Sequence, residues 1–319
     1  MTNSTPATPP EPATGPPTGR VGVDPFACLV VGVDGSPNSL ATLEWASGAA
    51  APGGQIHVVV SVATRLGLSA IEPGAPTTID DLQARLDGEW GHVARSRDVG
   101  LTAHVVDDRP ADALLHVAGA QHADAIVVGA HAGLNRPLRL IGRTITKLLR
   151  RSPVALVIVP EQAVLGDDRD TIVLGVGQSD ASTAAMRWAA DWANARHARV
   201  AVVNAVSTRP TFTPEGLFVL LAHVLDPSVL HDWAQDDADR FAEQLQQLTD
   251  ADTDITTSVV DGSAGARLVE AGQQALLLVI GRGKPSAVHH SIAHAPCPVV
   301  VIAGEGEHDD AGDDDTGED

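Results

Sequence analysis

The sequence predicts an α/β protein of two tandem, doubly wound domains, each a five-stranded parallel sheet in the order 3-2-1-4-5. Three observations carry that expectation: a length of 319 residues, an internal repeat, and strands that are continuously apolar instead of alternating. At roughly 100–200 residues per domain, the length alone gives two. The repeat makes the division explicit. VVGVDGSPNSLATLEWA (Val30–Ala46) aligns without gaps on VLGVGQSDASTAAMRWA (Val173–Ala189), and Val30, Gly32, Val33, Ser36, Ser39, Trp45 and Ala46 all recur. The spacing far exceeds the roughly 20–50 residues of a solenoid unit, so a whole domain has been duplicated.

In the first copy, strands are expected near 28–33, 56–62, 102–106, 125–129 and 155–159, with helices near 37–50, 78–97, 111–121 and 142–150. In the second, strands are expected near 171–176, 199–206, 254–260, 275–280 and 298–303. Runs such as QIHVVVSV (Gln55–Val62) and ARVAVVNAV (Ala198–Val206) show no polar alternation, which is what a sheet covered on both faces requires. Strands of this kind alternating with helices give a parallel sheet with right-handed crossovers. Trp45 and Trp188 fall on the apolar stripes of their helices and read as core. Each copy closes on an uncharged strand, ALVIV (Ala155–Val159) or PVVVIA (Pro298–Ala303). Such a run at a sheet edge invites aggregation, and pairing the two edges with each other removes the problem. Intramolecular pairing of the repeats is therefore expected, with a homodimer as a further association.

The flanks differ in composition. Residues 1–20 hold six prolines and five threonines, and Glu305–Asp319 holds nine acidic residues. Neither can bury enough apolar surface to offset its ordering entropy. The expected organisation is a disordered Pro/Thr-rich tail at 1–23, domains at 24–161 and 170–303, and an acidic disordered tail at 304–319. That tail reads as solubilising, with a docking segment for a basic partner as the alternative. The apolar stretch Leu217–Leu225 is expected to form a helix buried against the sheet or another subunit.

Charge excludes several functions. Lys and Arg number 21 against 41 Asp and Glu, for a net charge of −20. That leaves no basic footprint for nucleic acid and disfavours anionic membranes. Apolar runs such as Gly216–Ala222 are far short of the ~20 residues that span a bilayer. The first twenty residues lack a signal-peptide pattern. With two cysteines, Cys28 and Cys297, no disulfide framework is possible, and a cytoplasmic location is expected.

In a doubly wound sheet, ligands bind beyond the carboxyl ends of the strands where strand order reverses, here between strands 1 and 4. Strand 1 of the first copy ends Val33-Asp34-Gly35-Ser36, and strand 4 ends Val128-Gly129-Ala130-His131. Asp34 and the Gly129 backbone should face one crevice, where a carboxylate can accept from ribose hydroxyls or hold Mg2+. Equally, Asp34 can merely cap the next helix, with Ser36 and Pro37 as start signals. Further on, Gly142 opens a helix whose free N–H groups, with Arg143 and Thr144, form an anion pocket. Arg136 and Arg139 in the intervening loop can neutralise phosphate.

The start VGVDGSPNS, the loop GAHAGLNRPLRLIGRT after strand 4 and the ending APCPVVV together resemble the universal stress protein family in its tandem form. The resemblance covers both copies and implies the adenine nucleotide alpha-hydrolase-like version of this fold. It also implies ATP, accompanied where needed by Mg2+, held along G-x2-G-x9-G-[ST], with the strand-1 Asp on the ribose and phosphate side. Carried over, Gly129 matches the first glycine and Gly142 the third. Ala132 replaces the second, and Arg143 replaces the hydroxyl residue, with Thr144 one position on. His131 stands where the family often has arginine. The candidate nucleotide-binding residues are thus Val33, Asp34, Gly129, His131, Ala132, Gly142, Arg143 and Thr144.

The second copy departs further. Gly177 stands at the Asp34 position, and the segment after its strand 4 is nine residues shorter, with Pro285 aligned on Gly142. Its site reads as degenerate, with Arg282 and Lys284 leaving a small basic patch. His290 and His294, with His289 and Cys297 nearby, raise a zinc site, although no third ligand is fixed by spacing; Cys297 otherwise reads as buried filler. No nucleophilic elbow or Walker loop occurs. The expected function is a stress-response regulator or sensor that binds an adenine nucleotide in domain 1 without fast turnover. The alternatives are a non-nucleotide interaction protein with both sites degenerate, and a hydrolase-group enzyme.

Overall fold

A computed structural model describes residues 24–61, 78–130, 141–161, 163, 169–206 and 227–304. The Pro/Thr-rich tail, the acidic run 305–319 and the apolar stretch Leu217–Leu225 lie outside the described residues. The first repeat runs β1 (Cys28–Gly32), α1 (Pro37–Ala49), β2 (Gln55–Ser61), α2 (Ile79–Asp87), α3 (His92–Ser96), β3 (Gly100–Val106), α4 (Pro110–Gln121), β4 (Ala125–Gly129), α5 (Arg143–Arg151) and β5 (Ala155–Val159). The second runs β6 (Thr171–Val176), α6 (Asp180–Arg196), β7 (Arg199–Val206), α7 (Pro227–Leu248), β8 (Ile255–Asp261), α8 (Ala264–Ala271), a 3-10 turn at Gly272–Gln274, β9 (Leu277–Gly281), α9 (Pro285–His294) and β10 (Val299–Ile302).

The repeated serines are helix caps. Ser36 Oγ accepts from the Ser39 N–H at 3.2 Å, with Pro37 at the first helical position. Ser179 Oγ accepts from the Ser182 N–H at 3.2 Å at the start of α6. Each cap satisfies an otherwise orphaned N–H and fixes where the first crossover helix leaves the sheet.

All ten strands form one sheet in the order β3-β2-β1-β4-β5-β10-β9-β6-β7-β8. Counted within each repeat, the order is 3-2-1-4-5 with parallel neighbours. The repeats join through an antiparallel pair of their last strands, with Val301 opposite Leu156, Val300 opposite Val157 and Val299 opposite Ile158. The uncharged edges therefore cover each other.

Both faces of the central strands are buried, as continuous apolar strands demand, while the outer strands β3 and β8 are mostly half-buried or exposed. On one, Leu29, Val31, Val58 and Val60 pack under Leu43 and Trp45 of α1 and Leu82 of α2. On the other, Val30, Ile126 and Ile158 pack under Leu114 of α4 and Leu148 of α5. The first core is continuous across the repeats. Phe26, fully buried, meets Trp45, Trp188 and Trp192 edge-on, with ring centroids 6.0, 5.6 and 6.3 Å away. Trp45 and Trp188 are core, as their stripes imply, and the core they fill lies between the repeats. An ion pair from Arg196 to Asp24, 3.0 Å long, ties the same junction together.

One expected element is corrected. The single helix over 78–97 is broken into α2 and α3. A Cβ on Gly91 would fall 1.9 Å from the Leu86 carbonyl oxygen, so only glycine allows the chain to fold back there. The Arg95 guanidinium donates to the carbonyls of Leu86 and Gly88, at 2.8 and 2.6 Å, and satisfies the freed end of α2.

Candidate functional site

β1 and β4 are neighbours, with Val30 opposite Ile126 and Val31 opposite Val127, so their carboxyl ends finish side by side. The helices that follow them go to opposite faces: α1 packs into one core and α5 into the other. That divergence opens the crevice of a strand-order switch point.

Asp34 stands half-buried at this mouth. Its Oδ1 accepts the Ser36 N–H at 3.0 Å, and its own N–H donates to Ser39 Oγ at 3.3 Å. Gly35, at φ +87°, makes the tight bend that a side chain resists. Capping is thus part of what Asp34 does, with Ser36 as the residue that caps α1 itself. Val33 is 4% exposed and packs in the α1-side core, while its N–H donates to the Val59 carbonyl at 2.9 Å. What Val33 can offer a ligand is its carbonyl.

The two glycines of the motif differ in kind. A Cβ on Gly129 would come within 2.6 Å of Asn38 Nδ2 and 3.0 Å of Thr42 Oγ1, so this glycine lets α1 settle over the end of β4. Gly281 does the same in the second repeat, where an added Cβ would fall 2.5 Å from the Ala181 carbonyl carbon. Since both copies keep it, that glycine is explained by packing. Gly142 is not. It takes φ −66° and ψ 157°, open to any residue, and among the described residues an added Cβ meets nothing within 4 Å. No described residue crowds its backbone, and none caps the first turn of α5 with a side chain. Arg143 is exposed there and Thr144 half-buried. His131 and Ala132, with Arg136 and Arg139, lie outside the described residues.

The second crevice is built differently. Gly177 replaces Asp34, and among the described residues an added Cβ there would meet only Ser182 Oγ, at 3.9 Å, so no described contact forces the loss of the carboxylate. Gln178 donates instead to Asp237 Oδ2 at 2.9 Å. The shortened segment presses onto the helix cap: a Cβ on Gly283 would lie 2.9 Å from Ser179 Oγ. Of the two cations of the expected basic patch, Lys284 is exposed and Arg282 half-buried. The Arg282 guanidinium donates to the Leu149 carbonyl at 2.7 Å, bracing the end of α5 in the other repeat.

His290 is half-buried and His294 exposed. The His290 and His294 rings lie 4.5 Å apart, and among the described residues no group of three or more His, Cys, Asp or Glu could hold a metal. Cys297 is 1% exposed, and burial pushes its thiol up to about 12. No described helix is long and apolar enough to cross a membrane. Two features escaped the sequence reading. His57 Nδ1 and His104 Nε2 meet at 3.0 Å across β2 and β3. Burial lowers both pKa values, and His104 lowers that of His57 further. Their only sequence signal is two histidines on adjacent strands, visible once the register is known. The other is a groove of about 430 Å3 in the second repeat, lined by Val203, Ser258, Val260 and Arg267. It lies away from both crevices, and its arginine is held by Glu270 and the Asp261 carbonyl.

Comparison with known proteins places this architecture. The universal stress protein family profile matches residues 27–160 and again 168–303. Two curated universal stress proteins of Mycobacterium tuberculosis are each 33% identical over 150 residues, covering 42% of this chain and 48% of theirs. The chain thus spans about half the length of those relatives. A solved universal stress protein from Archaeoglobus fulgidus shares the fold at a TM-score of 0.53 and 13% identity, over 87% of this chain and 96% of its own. A functionally unknown protein from Pseudomonas aeruginosa matches at 0.53 and 13%, over 89% and 94%.

Proposed function

The chain belongs to the universal stress protein family, and from that premise we propose that its first repeat binds ATP or a closely related adenine nucleotide and acts as a stress-response regulator or sensor. The observation that carries this reading is the contrast between the two crevices. The first keeps Asp34 at the end of β1 and, at the start of α5, a Gly142 that no described residue crowds, whereas the second has Gly177 and a segment packed onto its own helix cap.

Asp34 would accept from the ribose or hold Mg2+ against the phosphates. The first-turn N–H groups of α5 would receive the phosphates, with Arg143 adding charge and Thr144 a hydroxyl. Bound nucleotide supplies the charge that this crevice senses, and the chain's own part is to hold it. At the ends of β1 and β4 the described acid–base group is Asp34, and its Oδ1 is tied to the turn by the Ser36 N–H. Holding without fast turnover is part of this proposal.

Titration calorimetry of the full chain with ATP tests this. A charged hydrogen bond is worth about 1.5–3 kcal/mol, so Asp34→Ala should weaken binding roughly 10- to 100-fold. Gly142→Trp should abolish it by placing an indole where the first turn of α5 would receive the phosphates. Equal binding in all three proteins would sink the proposed site, and binding in none would leave the interaction-protein reading, which rests on Arg143 standing in the place of the hydroxyl residue.

A further inference from the structure

Residues 129–160 contain six cations and no acidic residue, in a chain whose net charge is −20. Four of the six lie on α5. Ile145, Leu148 and Leu149 bury one side of that helix, and every charge on its solvent side is basic: Arg143, Arg150 and Arg151 are exposed and Lys147 is half-buried, with the neutral Thr146 between them. Lys147 pairs with Asp112 at 2.8 Å; among the described residues no ion pair engages the three arginines.

The opposite charge extreme begins where this helix ends. Antiparallel pairing puts Val301 opposite Leu156, so β10 runs out toward the start of β5. Only Ser152, Pro153 and Val154 separate that start from Arg151. Arg282 touches both places, donating its N–H to the Ile302 carbonyl at 2.8 Å and its guanidinium to the Leu149 carbonyl at 2.7 Å. The chain therefore passes Gly304 beside the carboxyl end of α5. The next fifteen residues, EGEHDDAGDDDTGED, carry nine carboxylates and one apolar side chain, Ala311. At ~3.3 Å per residue they reach roughly 50 Å, several times the ~13.5 Å length of a nine-residue helix.

We infer that segment 305–319 docks along the basic face of α5, which makes that face an interaction surface whose occupant the chain itself supplies. One exposed ion pair contributes little. The tether changes the balance, because it holds many carboxylates near three arginines at about millimolar effective concentration. The contact is electrostatic and yields to salt.

The chain contains two lysines, Lys147 and Lys284, which makes carboxylate-to-amine coupling by a zero-length carbodiimide a clean readout on the full chain. Coupling of Lys147 to Asp112 reports the intact fold in every sample. In about 20 mM salt, Lys147 should also couple to carboxylates of Asp309–Asp319. That product should vanish near 0.5 M salt, where the Debye length shrinks from roughly 20 Å to roughly 4 Å. It should vanish as well in an Arg150→Glu/Arg151→Glu chain that retains the Asp112 product. An equal mixture of isotopically light and heavy chains should give within-chain products. The inference is overturned if Lys147 couples to Asp112 alone, if the segment couples only to Lys284 beside its exit, if the products join different chains, or if the double variant leaves the yield unchanged.

Discussion

Asp34 shows how one residue serves both a turn and a crevice. Its backbone and Oδ1 tie the turn after β1, a role legible from the Ser-Pro start of α1. Its place beside β4 needs only the strand order. The glycines were less transparent in sequence, because a motif does not say which glycine serves packing. Gly129→Ala should destabilise by about 1–3 kcal/mol, since the new methyl must displace Asn38. Gly142→Ala should instead leave stability within about 0.5 kcal/mol of the parent or raise it slightly. Urea midpoints of the two variants check the contrast; equal losses would refute it. The histidine pair gives a pH dependence. Both folded-state pKa values are lowered, so the native state binds fewer protons than the unfolded chain as pH falls below about 6.5. Stability from this pair is full above that pH and is lost progressively below it. The urea midpoint should therefore fall between about pH 7.5 and 5.5, and fall less in a His104→Gln variant.

Among the elements, the strands were readable because a sheet covered on both faces leaves uninterrupted apolar runs, and β4, β5 and β6 match their expected positions. The break between α2 and α3 was not, because apolar spacing continues through it. What divides them is a close backbone approach at Gly91 and two carbonyls gathered by Arg95, neither of which periodicity registers. Gly91→Ala should therefore be far more damaging than Gly88→Ala. At Gly88 the added methyl stands 3.1 Å from the Ala84 carbonyl oxygen, a contact relieved by a small shift. Thermal midpoints of the two proteins measure the difference, and equal values would remove the steric account. That the second crevice differs from the first was legible from Gly177 and the missing loop. That Arg282 braces α5 across the repeats was not, because its partner is a backbone carbonyl 133 positions away in sequence.

The whole molecule behaves as one sheet. Its central antiparallel pair and the Phe26 cluster give the repeats a common core, so neither repeat should unfold first. Phe26→Ala should cost about 3–5 kcal/mol and shift a single calorimetric transition, whereas two separated transitions would show independent domains. The duplication and edge pairing were readable from the repeat and its two uncharged closing strands. The shared aromatic core was hidden, since Trp45 and Trp188 look alike wherever they point. One scaffold thus carries two crevices that the chain has treated unequally, and nucleotide stoichiometry is the most direct measure of that inequality. Native mass spectrometry of the full chain titrated with ATP should show one adenine nucleotide per chain and saturate there. A spectrum with none bound, or with two of similar affinity, would contradict the account.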